Sequence, residues 1–182
     1  PVIKDLLEND QIQKDTFNAK AHYVGLHRLG IDLQGIGFDL LLVSYLLNTN
    51  DNSNDLGQLA HEHDYYGVQS DEEVYGKGKG RHIPDDDQVF FSHLAAKGRA
   101  IEELNAKLSK KLHENEQWAL YTDIERPLSL VLANMEIAGV HVDATTLKNM
   151  GSKLKERLAE LEQAIYDEAG EEFNINSTKQ LG

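Results

Sequence analysis

The sequence predicts an α/β chain that is mostly helical, and three observations carry that prediction. Two long stretches, Pro84 to Leu112 and Asp143 to Gly170, repeat apolar residues every three or four positions, as amphipathic helices do. Strand-like alternation is confined to short pieces, Ile31 to Leu33 and Val140 to Val142. Gly30, Gly139 and Gly170 stand at the ends of periodic stretches, where a left-handed residue terminates a helix at little cost.

From the start, Val2, Ile3, Leu6 and Leu7 share one face at helical spacing, which predicts a core-facing helix over residues 2–8. A second helix is predicted from about Ala19 to Leu29. Ile31 and Leu33 then read as a strand, and Gly35-Ile36-Gly37 leads into the apolar run Phe38 to Leu47, whose length and leucine content predict a buried helix. The polar run Asn48 to Asn54 is a loop by composition, with Ser53 or Asn54 placed to cap a helix from about Asp55 to His63. Ser70 and Glu73 have capping-box spacing for another short helix. Gly76 to Arg81 is a flexible basic loop.

Pro84 with Asp85, Asp86 and Asp87 forms a strong start for a long helix, because early carboxylates complement the positive end of the helix dipole. Leu94, Ile101 and Leu108 recur at heptad intervals with Phe90, Leu104 and Leu112 between them, so one stripe is expected to be buried to about Leu112, only part of it facing this chain's own core. Residues 113–117 turn polar, which predicts a domain boundary dividing the chain into 1–116 and 117–182. Pro127 sits where a first helical turn tolerates it, and Leu128, Val131, Leu132 and Met135 mark that helix's apolar face as far as Gly139. Val140 and Val142 predict a short strand. Asp143 caps what the sequence predicts as the longest helix, striped by Leu147, Met150, Leu154, Leu158, Leu161 and Ile165. Such a stripe predicts a helix that projects from a body or packs on another helix. The chain has no internal repeat.

Composition bounds the function classes. Eighteen Lys and Arg face 31 Asp and Glu, a net charge of −13, with −8 in 1–116 and −5 in 117–182. Affinity for a phosphate backbone comes from clustered cations, so neither part is composed to grip nucleic acid strongly by itself. No apolar run approaches the ~20 residues that span a bilayer, so no membrane partner is expected. With no cysteine and no signal-type opening, a cytoplasmic protein stabilised by packing is the default. The chain opens Pro1-Val2-Ile3 and closes where a helix is just starting, so both ends are expected to be internal to a longer protein.

Local clusters read blandly. His61-Glu62-His63-Asp64 invites a metal, but helical ligand pairs are usually four residues apart and these histidines are two apart. Helix initiation accounts for Asp85 to Asp87. The Gly76 to Arg81 loop lacks the Gly-Lys-Ser/Thr ending of a phosphate loop, which leaves Lys77, Lys79 and Arg81 as weak phosphate contacts set against a solvated loop. Ser177, Thr178 and Lys179 stand at a helix start that either faces phosphate or is simply capped.

Two ordered segments carry a resemblance. Glu125-Arg126-Pro127-Leu128 through Met135-Glu136-Ile137-Ala138-Gly139-Val140-His141-Val142-Asp143, followed by Ala169 to Leu181, resembles the opening of the polymerase domain of family A DNA polymerases, the DNA polymerase I type of bacteria. Gly30-Ile31-Asp32-Leu33-Gln34-Gly35-Ile36-Gly37-Phe38-Asp39, then Ser44 to Asn48 and Gly76 to Lys79, resembles the 3'-5' exonuclease-type domain preceding it. Enzymes of Gram-positive bacteria are the most similar. The resemblance implies a truncated RNase H-like exonuclease domain over 1–116, then over 117–182 the helical base of the palm and root of the thumb.

It also implies what chemistry survives. Proofreading members hold two divalent cations with four carboxylates, which activate water. Their first acidic pair would precede Pro1. Their Asn-x-x-x-Asp motif corresponds to Asn18 to His22, and their Tyr-x-x-x-Asp motif to Leu94 to Gly98, so His22, Leu94 and Gly98 stand at lost positions. The polymerase motifs would follow Gly182. The expectation is therefore a scaffold within a DNA-directed DNA polymerase of replication and repair. It should have no catalytic residue, metal or cofactor of its own, with magnesium and DNA engaged by the parent enzyme. The alternative is a non-enzymatic helical interaction module. Because the Asp39 to Leu47 helix would cover strands that precede Pro1, its apolar face is expected to be exposed, repacked or covered by self-association.

Overall fold

The computed structural model describes residues 2–50 and 53–181, so Pro1, Gly182 and two residues of the polar run, Asp51 and Asn52, lie outside it. The first unit, Pro1–Gly139, contains a parallel pair of strands, β1 (Lys14–Thr16) and β2 (Ile36–Asp39), with Lys14 opposite Ile36 and Thr16 opposite Asp39. Parallel strands need a crossover, supplied here by α2 (Ala19–His27). At Gly35, φ is +75° and a Cβ would lie 2.6 Å from the Ile12 carbonyl oxygen, so glycine alone suits the turn into β2.

The strand expected at Ile31 and Leu33 is not formed. Instead the Ile31 N–H donates to the Leu26 carbonyl and the Gln34 N–H to that of Leu7, which ties this segment to helix ends. Its alternation came from Leu33 packing with Ala19 and Ile36 in a small satellite core. The helix α1 (Val2–Glu8) forms as expected but does not face the core: Val2 and Ile3 are 81% and 71% exposed, and Leu7 alone packs against the satellite.

The apolar run starting at Phe38 is shared between two elements. Phe38 belongs to β2, and the helix α3 spans only Leu40–Leu47, burying Leu40, Val43 and Leu46. Its apolar face is therefore already covered within the unit. The helix α4 (Leu56–Glu62) is capped by Asp55 rather than Ser53 or Asn54; its carboxylate accepts from the Gln58 N–H at 3.1 Å and from the Asp71 N–H at 2.7 Å. Two helix starts thus share one side chain. The helix α5 (Asp71–Tyr75) carries the expected capping box, with Glu73 accepting from the Ser70 N–H at 2.8 Å, and Gly78–Gly80 form a single 3-10 turn.

The helix α6 (Asp87–Glu114) begins at its cap Asp86 and, at 28 residues, is longer than the helix expected to be longest. It buries Leu104, Leu108 and Leu112 of the expected stripe together with Ala100, with Ile101 packed against them, and leaves Leu94 43% exposed. A short helix α7 (Trp118–Leu120) runs through a π turn (Tyr121–Glu125) into α8 (Arg126–Ala138), which has Pro127 in its first turn as expected. The buried residues of α8 are Ser129 and Ala133, whereas Leu128, Val131, Leu132 and Met135 are exposed. The face that packs is the small one, because α8 lies along α2 and small side chains permit the helices to approach. The first unit thus continues past residue 116 to Gly139.

In the second unit, Val140–Gly182, the strand expected at Val140 and Val142 is absent and both side chains are exposed. The helix α9 (Ala144–Ala169) is capped by Asp143, which accepts from the Thr145 and Thr146 N–H groups at 3.0 Å, and it ends at Gly170 with φ +77°. Its stripe from Leu147 to Ile165 is 40–61% exposed. A last turn, α10 (Thr178–Leu181), follows.

Candidate functional site

The most connected polar node of the first unit lies where β2 ends. Asp39 is 1% exposed, and its carboxylate accepts from the N–H groups of Asn18 (2.8 Å), Ala19 (2.7 Å) and Leu41 (3.0 Å), which caps α3 and fixes the start of α2. Burial pushes this carboxyl above the usual carboxylate range, and the backbone donors pull it only part of the way back. Its own N–H donates to the Tyr121 hydroxyl at 2.9 Å, and that hydroxyl donates to the Gly37 carbonyl at 3.1 Å. Burial pushes the Tyr121 phenol up to about 12, so it stays a neutral donor at physiological pH. Arg126 Nη1 adds a second hydrogen bond to Gly37 at 3.3 Å. This node fastens the π turn and the start of α8 to the sheet.

A second node gathers charge. Asp71 faces His93 Nε2 at 2.9 Å, the Lys97 ammonium, and Arg81 Nη2 at 3.7 Å, while Tyr75 meets the His93 ring edge-on at 5.1 Å. Burial raises the Asp71 carboxyl, but hydrogen bonds from Lys97 and His93 outweigh it and hold the group below its ordinary value. An acid whose folded-state value is depressed contributes stability above the unfolded value of ~3.9 and loses it as pH falls through the folded one. Urea titrations of wild type and Asp71→Asn should accordingly differ most at neutral pH and converge as the pH falls through the depressed folded-state value; a gap that widens in acid would refute the assignment.

The residues singled out from sequence are dispersed. His22 is exposed on α2, and Asn18, four residues earlier, caps that helix with its side chain accepting from the Ala21 N–H at 3.2 Å. Leu94 and Gly98 lie on the solvent side of α6, and a Cβ at Gly98 would meet nothing within 4 Å. In the basic loop, Lys77 is paired with Glu72 at 2.9 Å and Arg81 approaches Asp71, whereas Lys79 has no carboxylate partner among the described residues. In the second unit, Ser177 precedes α10, which contains Thr178 and Lys179. His61 and His63 diverge, the first bonding the Val68 carbonyl at 2.8 Å and the second the Ser44 hydroxyl at 2.8 Å. Among the described residues, no three His, Asp or Glu side chains come together as a metal site.

Sequence reasoning missed Asp39, Tyr121, Arg126 and the Asp71 cluster. Asp39 directly before Leu40-Leu41-Leu42 offered one local signal, since a carboxylate there suits a helix cap. Its partners lie up to 82 residues away, beyond any spacing rule.

Comparison with known proteins gives a consistent picture. A family model described as the DNA polymerase I ribonuclease H-like domain matches residues 1–104. Over 181 residues the chain is 44% identical to DNA polymerase I of Bacillus subtilis (strain 168), covering 100% of this chain and 20% of the relative. Against the Geobacillus stearothermophilus DNA polymerase I it is 47% identical over 174 residues, covering 95% of this chain and 20% of the relative. The chain therefore spans about a fifth of the length of these relatives. A solved structure, the POL domain of Pol1 from M. smegmatis in complex with DNA primer-template and dNTP, superposes with a TM-score of 0.72 at 23% identity, covering 98% of this chain and 28% of that one. That likeness concerns the fold.

Proposed function

The chain belongs to the family of the DNA polymerase I ribonuclease H-like domain, and we propose that it serves as a non-catalytic scaffold within a DNA-directed DNA polymerase of replication and repair. In this reading residues 1–116 are an exonuclease-like body and 117–182 lead into the polymerase part. The Tyr121 node anchors the leading helix α8 to that body. Cytoplasmic placement follows from the same reading, and among the described residues no helix is long and apolar enough to cross a membrane.

The observation that carries the scaffold role is the set of side chains at the positions implied for the exonuclease motifs. His22 offers an imidazole, Leu94 an alkyl group and Gly98 no side chain. Magnesium requires oxygen ligands, and imidazole suits zinc, copper or iron better. These residues do not fit a two-magnesium centre, and no hydrolytic step runs through them. Magnesium and primer-template DNA are assigned to the parent enzyme. Within this chain Lys79 is the best-placed cation of its loop for a phosphate contact, with Lys77 and Arg81 largely engaged and Ser177, Thr178 and Lys179 as a second candidate contact. Self-association would have to use a face other than that of α3, whose Leu40, Val43 and Leu46 are already buried.

One observation favours the alternative of a helical interaction module, namely the exposed stripe of α9. Nuclease and primer-extension assays on this chain and on the intact protein from the same gene, with magnesium or manganese, separate the readings. Synthesis is expected from the intact protein alone, and 3' trimming from neither. Metal-dependent trimming by the 182-residue chain would defeat the scaffold role, and an intact protein without synthesis would defeat the polymerase assignment.

A further inference from the structure

A cleft of about 440 Å³ opens between the segment after α1, α2, the turn into β2 and the start of α8. Arg126 lines it, half-buried, and among the described residues no carboxylate lies within ion-pair distance of its guanidinium. Among the described residues the group makes one hydrogen bond, to the Gly37 carbonyl, and it lies 5.9 Å over the Tyr121 ring. A guanidinium carries five N–H donors in a fixed fork suited to two oxygens of one anion, so most of its capacity is unspent. A cation withdrawn from water without a counter-charge is costly, and a bound anion would offset that cost.

Other groups point the same way. Tyr23 lines the cleft; its hydroxyl has no hydrogen-bond partner among the described residues, and burial raises its pKa, so it remains a donor. A Cβ on Gly37 would fall 2.3 Å from Gln13 Nε2, so the bare glycine leaves room for that carboxamide at the cleft. The one acid of the lining, Asp10, is engaged by Gln11 Nε2 at 3.0 Å. Asp39, whose charge acts on Tyr23 through space, is engaged by backbone N–H groups. Pro127 and Leu130 supply an apolar wall.

We propose that this cleft binds a small organic oxyanion, a carboxylate or phosphate monoester on a flat apolar body, through the Arg126 fork and the Tyr23 hydroxyl. The site lies apart from His22, Leu94 and Gly98, none of which lines it, and it does not depend on the polymerase reading. Isothermal calorimetry of the whole chain against benzoate, phenyl phosphate and neutral benzyl alcohol tests it. Saturable binding of at least one anion and none of the alcohol is expected, the tighter anion identifying the head group. Arg126→Gln should weaken it roughly ten- to a hundredfold, as loss of a charge-assisted contact does, and Arg126→Lys should fall between. Circular dichroism checks folding, and if Arg126→Gln unfolds, Tyr23→Phe carries the test with a severalfold loss. Absence of saturable binding for both anions, equal binding of the alcohol, or affinity unchanged in the folded variants would overturn the proposal.

Discussion

Replacing Asp39 with alanine is expected to lower the unfolding free energy by about 3–5 kcal/mol, the range for breaking a buried hydrogen-bonded network. The reason is multiplicity. One carboxylate satisfies N–H groups at the starts of two helices, from Asn18, Ala19 and Leu41, in a site where the residue is 1% exposed. Alanine would leave all three donors without a partner and would also remove the cap of α3, itself worth ~1 kcal/mol. Asparagine keeps one acceptor oxygen but turns an amide N–H₂ toward donors, so its loss should be intermediate. Urea unfolding followed by circular dichroism reads the effect, and a loss under ~1 kcal/mol for alanine would mean that the capping is replaceable.

Truncating Tyr121 to alanine should cost a similar amount, about 3–5 kcal/mol, as large aromatic truncations in cores do. Tyr121 is fully buried among Phe38, Leu108 and Leu112 of the main core, and its hydroxyl also joins the Asp39 N–H to the Gly37 carbonyl. Phenylalanine isolates the polar share: it keeps the packing and deprives two backbone groups of their bridge, for a loss of about 1–3 kcal/mol. The sole tryptophan, Trp118, has its ring 5.7 Å from that of Tyr121 and stacks on His113 at 4.4 Å. Its emission should therefore report the change locally, beside global unfolding. If phenylalanine proves silent in both measurements, the hydroxyl does not fasten the π turn to the sheet.

These two residues mark the limit of what sequence makes legible. Asp143, the Ser70–Glu73 box, Pro127 and Gly170 were readable because each acts on backbone groups within a turn of itself. The resemblance to family A DNA polymerases was readable too, because it rests on residue order, and the family match over residues 1–104 agrees with it. The Asp71 cluster was not readable. His93 and Lys97 look like ordinary members of a long helix until folding brings α5 against them, and the Asp71 to His93 separation of 22 residues follows no motif.

What the amino-acid order determined unaided was the helical character of the chain, most helix termini and the acidic charge, all consequences of near-neighbour chemistry. Tertiary structure decided what periodicity left open, which face of α8 is buried and which strands pair. The strand Lys14–Thr16 exists because Ile36–Asp39 lies alongside it, not because Lys-Asp-Thr favours a strand. Likewise α8 turns Ser129 and Ala133 inward and leaves its leucines in solvent, because the distance to α2 selects side chains by size before hydrophobicity. Periodicity shows that a helix has two unlike faces; which of them is covered depends on the shape of the neighbour it meets, and that information is spread along the chain.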